Sequence, residues 1–372
     1  MFEVGGNPMK KRRAGRAGAE RLVILLGLWS LCGWSALRFF PAGWAWPADR
    51  EALSAASLMA EALAAIRSCR EAGGIPIDPV SDPNRTGLIG LSDSPITTSP
   101  GHLEAKRTTT NPNFAAALVF LFREAGLQAG DAVAVGASSS FPGLILATLA
   151  ASKAMQLRPL PVVSLGASNW GANDPRWTWL EIADCLEAAG IVEAKPLAAS
   201  VGGEGDAGRD MSPRGRAVLE AKARSAGIPL LVRPDLPSDV AARLDVFERA
   251  AEGAPLKAFV NVGGSWVNMG TDAGVLALKP GLNWKMPIPP PERRGLIQEM
   301  SLRGTPVIHL LFVKGLADRF GLPWDPVPLP APGQEWGGAV SGRGPTARPV
   351  VLAVYLLGAL AGLIQLSRRA SM

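Results

Sequence analysis

Three short stretches of the chain place hydroxyls, amides and glycine directly after an apolar run, where chemistry in an open α/β sheet is usually housed. Ser138-Ser139-Ser140-Phe141-Pro142 follows the run 132–137 and enters a helical pattern. Serine hydroxyls and free amides at a helix start bind carboxylate or phosphate, although an ordinary serine cap before Pro142 uses the same residues without a ligand. The segment 166–174 follows the run 160–165. Its Ser168, Asn169, Trp170 and Asn173 have the composition of a binding loop, with Asp174 as a helix cap. Gly263-Gly264-Ser265-Trp266 follows the run 258–262 as a tight turn that lets backbone approach a ligand. Together the three loops predict one pocket at one sheet edge.

Lys106 and Arg107 stand beside Thr108, Thr109 and Thr110, so they can clamp an anionic group or can form a solvated loop. His309 lies inside the apolar run 306–312, where a histidine is either a satisfied core residue or a base. One enzyme reading joins these pieces. Gly136-Ala137-Ser138-Ser139-Ser140 sits at a strand-to-helix turn, like a nucleophile elbow, with Ser140 in place of the second glycine of G-x-S-x-G. Ser138 or Ser140, then an acid such as Asp272, then His309 gives the chain order of an α/β hydrolase. Neither a phosphate-loop motif nor a dinucleotide G-x-G-x-x-G after the first strand is present. With no CxxC and two histidines, no metal site and no cofactor is expected. Cys69 and Cys185 either pair or stay as two buried thiols.

The elements that must position these loops follow from apolar periodicity. Strand-length runs lie at 132–137, 160–165, 230–232, 258–262 and 307–312, mostly unbroken, as strands buried on both faces require. Helical patterns at 142–156, 175–189, 213–226, 238–251 and 292–302 separate them. Asn111-Pro112, Asp174-Pro175 and Ser212-Pro213 read as starts, and Gly126, Gly190 and Gly227 as stops. This alternation predicts an α/β fold, three-layer and doubly wound, on a mainly parallel sheet of five or six strands. An Ala-rich helix over 48–72 precedes it and packs on either the domain or a membrane helix. The Gly-rich 202–208 reads as a loop, and 321–347 as a Pro/Gly-rich linker.

A hydrophobic content of 48 % against 19 % charged residues is concentrated at the two ends. Residues 22–40 and 350–366 are apolar stretches near the length of a bilayer span, and Arg38 is near an end where it can snorkel. A signal peptide and a buried core helix are the respective competitors. Basic residues crowd 1–21, so that segment is expected on the cytoplasmic side. Two spans then return the tail 367–372 to the cytoplasm and leave 41–320 outside, anchored in the cell membrane. Much of the net charge of +6 belongs to this anchor, and no basic stripe with interleaved aromatics marks a nucleic-acid partner.

Several blocks are unusual enough to compare as wholes: Leu103 to Phe114, Gly136 to Pro142, Gly166 to Pro175, Val262 to Ser265 and Pro306 to Leu311. Over roughly 50–325 the chain resembles the bacterial poly-γ-glutamate system protein family. The resemblance implies an accessory component of poly-γ-glutamate synthesis or export at the envelope, working beside membrane-embedded synthetase subunits in the lipid bilayer. The polymer carries one free α-carboxylate per residue, which suits distributed anion-binding groups at Lys106, Arg107, the Ser138–Ser140 turn and the 169–173 loop. The alternatives are a serine-dependent hydrolase or transferase acting on the polymer and a purely structural partner of the synthetase.

Overall fold

The unbroken apolar runs become strands of one sheet, because a strand covered on both faces can be apolar throughout. In the computed structural model, which describes residues 23–32, 49–334 and 347–370, two compact units are distinguished. The larger holds 49–334. Its strands are β1 (Ala132–Ser138), β2 (Arg158–Ser164), β3 (Ala198–Ser200), β4 (Leu256–Val262), β5 (Gly281–Asn283) and β6 (Val307–Leu310), in the order β3-β2-β1-β4-β6-β5. All pairings are parallel except β5 with β6. The doubly wound α/β expectation therefore holds. Two strands differ from it: the run 230–232 makes only an isolated bridge, Leu230 to Ala199, and the short β3 and β5 were not expected. Short runs carry too little periodicity to be told from loop.

The chain starts at β1, winds outward through β2 to β3, then returns to β4 beside β1. Between β1 and β4 the winding reverses, and that is the topological switch point where a crevice opens beyond the carboxyl ends. One face of the sheet is covered by α2 (Arg50–Ala72), α4 (Asn113–Glu124), α5 (Pro142–Ala154) and α6 (Trp179–Ala188). The other is covered by α8 (Leu236–Ala250) and α10 (Leu296–Leu302). Helix α5 is apolar nearly all round because α2 and α4 cover what the sheet does not.

Helix α2 is the one described helix long and apolar enough to cross a bilayer. It buries Ala52, Ala55, Ala56, Met59, Ala62, Leu63 and Ile66, packs on α4 and α5, and ties to α6 through a Cys69–Cys185 disulfide. Its apolar stripe thus belongs to the domain. Starts and stops follow the caps unevenly. Ser212 caps α7 (Pro213–Ser225) as expected. Helix α6 begins four residues after Pro175, where Thr178 and Glu181 form a capping box. Asp174 instead holds the Arg176 guanidinium in a tight turn. The 292–302 pattern breaks into a 3-10 turn followed by α10. Residues 321–334 are not free linker. Asn113 accepts from Gly333 N–H and donates to the Ala331 carbonyl, and Asn84 donates to the Pro326 carbonyl. The prolines offer no N–H to a neighbouring strand, so the buried Asn113 and the half-buried Asn84 reach out to satisfy this extended backbone.

The smaller unit holds α1 (Val23–Cys32) and α12 (Ala347–Ala370). They pack closely. A Cβ added at Gly358 would meet the Trp29 ring at 2.7 Å, and one at Gly362 would meet Leu26 at 2.4 Å. Trp29 Nε1 donates to the Tyr355 carbonyl at 3.3 Å, and the Tyr355 hydroxyl to Ser30 Oγ at 3.2 Å. Residues 33–40 of the first expected span lie outside the described residues.

Candidate functional site

Beyond β1, β2 and β4 lies a cavity of about 690 Å³, at the switch point. Ser138 and Ser140 reach it from the end of β1, Ser164 and Ser168 from the end of β2, and Gly264 and Ser265 from the end of β4. The pooling of the three loops expected from sequence is therefore real. The roof was not expected. It comes from Thr98–Gly101, the start of α3 (Leu103–Thr109), Phe312 and Lys314 after β6, and Trp324 from the proline-rich stretch.

At the centre is Lys106, which is buried. Its ammonium group donates to the Ser140 carbonyl and, at 2.7 Å, to Ser168 Oγ, and sits 3.7 Å from the centre of the Phe141 ring. Among the described residues no carboxylate pairs with it. Burial without a counter-charge disfavours the ammonium form and pulls the Lys106 pKa down to about 7. Ser140 ties this centre together. Its hydroxyl accepts from the Ser138 hydroxyl at 3.0 Å and from the Ser168 backbone N–H at 3.0 Å. Two glycines make the closeness possible. A side chain at Gly101 would lie 2.5 Å from the Asn169 carbonyl and 3.2 Å from Ser168 Oγ, and Gly263, at φ +78, presses its turn against Ser138.

The charge lining the cavity is mixed. Lys314 stands with Lys106, while Glu104, Glu204 and Asp210 oppose them. The last two come from the Gly-rich 202–210 segment, whose sequence signals only a loop. Behind the wall, Ser164 Oγ is hydrogen-bonded to Ser200, Ser265 and Asp206. Asp206 continues into a buried ion cluster, in which Arg243 of α8 bridges Asp206 and Asp239. Burial, reinforced by the Asp206 charge, pushes the Asp239 carboxyl up to about 7, against the pull of Arg243.

Several expected site residues serve the fold instead. Arg107 points away from the cavity into a two-pronged pair with Asp325 at 2.7 Å and 2.5 Å, which raises its pKa. Asn169 accepts from Gly101 N–H and donates to the Ser92 carbonyl. Asn173 binds both backbone groups of Leu91. Trp170, with φ +64, exchanges backbone bonds with Gly90 and Leu91. Ser139 is buried beneath the turn, and Gly263 shapes the wall without lining it. His309 does not line the cavity either. It sits on β6, two strands from β1 and so roughly 10 Å away. Its Nδ1 is 2.9 Å from Asn261 Nδ2, and burial lowers its pKa to about 4. Asp272 caps the turn at Gly274 N–H. The Ser–Asp–His arrangement is therefore not assembled. The base beside the serines is Lys106. One signal marks it in sequence: it has no acidic residue at i±3 or i±4.

Compared with protein-family models, with curated proteins and with solved structures, the chain matches none.

Proposed function

We propose that this is a membrane-tethered envelope protein whose cavity receives the end of a poly-γ-glutamate chain, as an accessory to its synthesis or export. The observation that carries this reading is the mixed set of groups around the cavity: Lys106, Lys314 and the serine hydroxyls beside Glu104, Glu204 and Asp210. A stretch of polymer interior offers only carboxylates and amides, and three acids would repel it. The amino end of a γ-linked chain is different, because its last residue carries an ammonium and an α-carboxylate on one carbon. Hydroxyls and lysine suit the carboxylate, and the acids suit the ammonium.

The tether rests on α1 and α12. Leu25, Leu28, Leu31, Leu352, Leu356 and Leu357 are exposed apolar side chains on these helices, the surface a bilayer would cover. The two glycines that let the helices touch are the small residues such packing uses. The Cys69–Cys185 bridge agrees with a domain outside the cytoplasm.

Calorimetry on the full chain in detergent micelles tests the reading. Short γ-linked glutamate oligomers with a free amine should bind, and the same oligomers N-acetylated should bind at least tenfold more weakly. Equal binding of both would remove the chain-end assignment, and no binding of either would remove poly-γ-glutamate as the ligand.

A further inference from the structure

We propose that Lys106 and Ser168 form a base–nucleophile pair that cleaves or transfers an amide bond held in the cavity. The Nζ to Oγ separation is 2.7 Å, within reach for direct proton transfer. Ser168 and Lys106 both line the cavity, and the lysine amine sits against the Phe141 ring and the Ser140 carbonyl. Serine–lysine pairs of this kind replace the serine–histidine arrangement on several folds. The substrate class, a γ-glutamyl amide, rests on the reading of the cavity given above; the pairing of the two side chains does not.

The steps balance with water as the only co-reactant. The neutral Lys106 amine takes the Ser168 hydroxyl proton as Oγ attacks the amide carbonyl carbon. The C–N bond breaks, and the departing amine takes that proton from Lys106, leaving an ester on Ser168. Water then attacks the ester, giving its proton to Lys106. The C–O bond breaks, Ser168 regains that proton from Lys106, and a carboxylic acid leaves, which gives up its own proton to solvent as it becomes a carboxylate; an amine acceptor in place of water makes the same step a transfer. Ser140 is a positioning residue, since its carbonyl holds the lysine and its hydroxyl holds the Ser168 N–H. At pH 7 a substantial fraction of Lys106 is already the free amine, because burial has lowered its pKa to about 7.

The test is reaction of the full chain, disulfide intact and in detergent, with a fluorophosphonate, read by intact mass and peptide mapping. One adduct on Ser168 is expected, with a rate that rises with pH through about 7 and then levels. Ser168→Ala should lose the adduct. Lys106→Met, which keeps an unbranched stem of similar length but cannot act as a base, should slow it at least a hundredfold while near-UV circular dichroism stays native. Ser140→Ala should slow it about tenfold with the adduct still on Ser168. An adduct on Ser138 or Ser140, an unaltered rate in Lys106→Met, or no adduct on the folded chain would each overturn the proposal. Oligomer binding without an adduct would leave the ligand reading standing and sink the pair. An adduct without oligomer binding would do the reverse.

Discussion

Arg243 and Lys106 are both buried in the same domain, and they are stabilised in opposite ways. Arg243 lies between the carboxylates of Asp206 and Asp239, with Ser200 completing its hydrogen bonds. Lys106 has a hydroxyl, a carbonyl and an aromatic face, but no carboxylate. A guanidinium cannot shed its proton at ordinary pH, so burying it calls for counter-charge, as at Arg243, or for several carbonyl acceptors, as at Arg70. A lysine can, and burial without counter-charge is a standard means of producing a base near neutrality. The first arrangement braces the wall; the second leaves an amine without a carboxylate partner beside the cavity.

The comparison breaks most visibly at Arg243. Arg243→Met strands two buried carboxylates and should cost about 3–5 kcal/mol in urea unfolding, whereas Lys106→Met should be far milder. Sharper is the contrast within the cluster. Asp239 has a pKa near 7 in the fold and an ordinary value when unfolded, so its contribution to stability is full below about 4 and is lost as pH rises through about 7. Asp239→Asn should flatten that loss and, at pH 7, cost about 2 kcal/mol less than Asp206→Asn by the same assay. For Lys106 the sign reverses. Between its unfolded value of 10.5 and about 7, unfolding takes up a proton, so stability relative to Lys106→Met should fall as pH is lowered through that window. Calorimetric melts should show a slope of about 1.4 kcal/mol per pH unit within it. The smallest effect belongs to Arg107→Ala, which breaks only a partly exposed pair with Asp325 and should cost about 1 kcal/mol without altering oligomer binding.

Much of this site was legible before the fold was in view. The rule that ligands gather beyond the carboxyl ends of strands picked out Ser138, Ser140, Ser168, Gly264 and Ser265, which line one cavity, and also Ser139, Asn169, Trp170, Asn173 and Gly263, which do not. Local sequence carries that information, because each serine lies within a few residues of an apolar run. Lys106 and Arg107 show where it stops. They are neighbours of like charge, yet one turns inward beneath Phe141 and the other outward to an aspartate 218 positions along the chain. Glu104 stands three residues before Arg107 and no acid stands so for Lys106, but which of the two turns inward is set by tertiary packing. Glu204 and Asp210 were hidden for a related reason: glycine-rich composition signals a turn but not what the turn faces. His309 misled because a strand histidine reads alike whether its partner is a serine or, as here, Asn261.

The disulfide between Cys69 and Cys185 closes a ring spanning 116 positions, and Lys106, Ser138, Ser140 and Ser168 all lie inside it. Arg243 and its two carboxylates lie outside. A protease that cuts the chain once within the ring releases no fragment, because the two halves stay joined through sulfur. The Lys106 amine and the serines beside it would then remain on a single covalent body, while a nick beyond the ring could separate the bracing cluster from them.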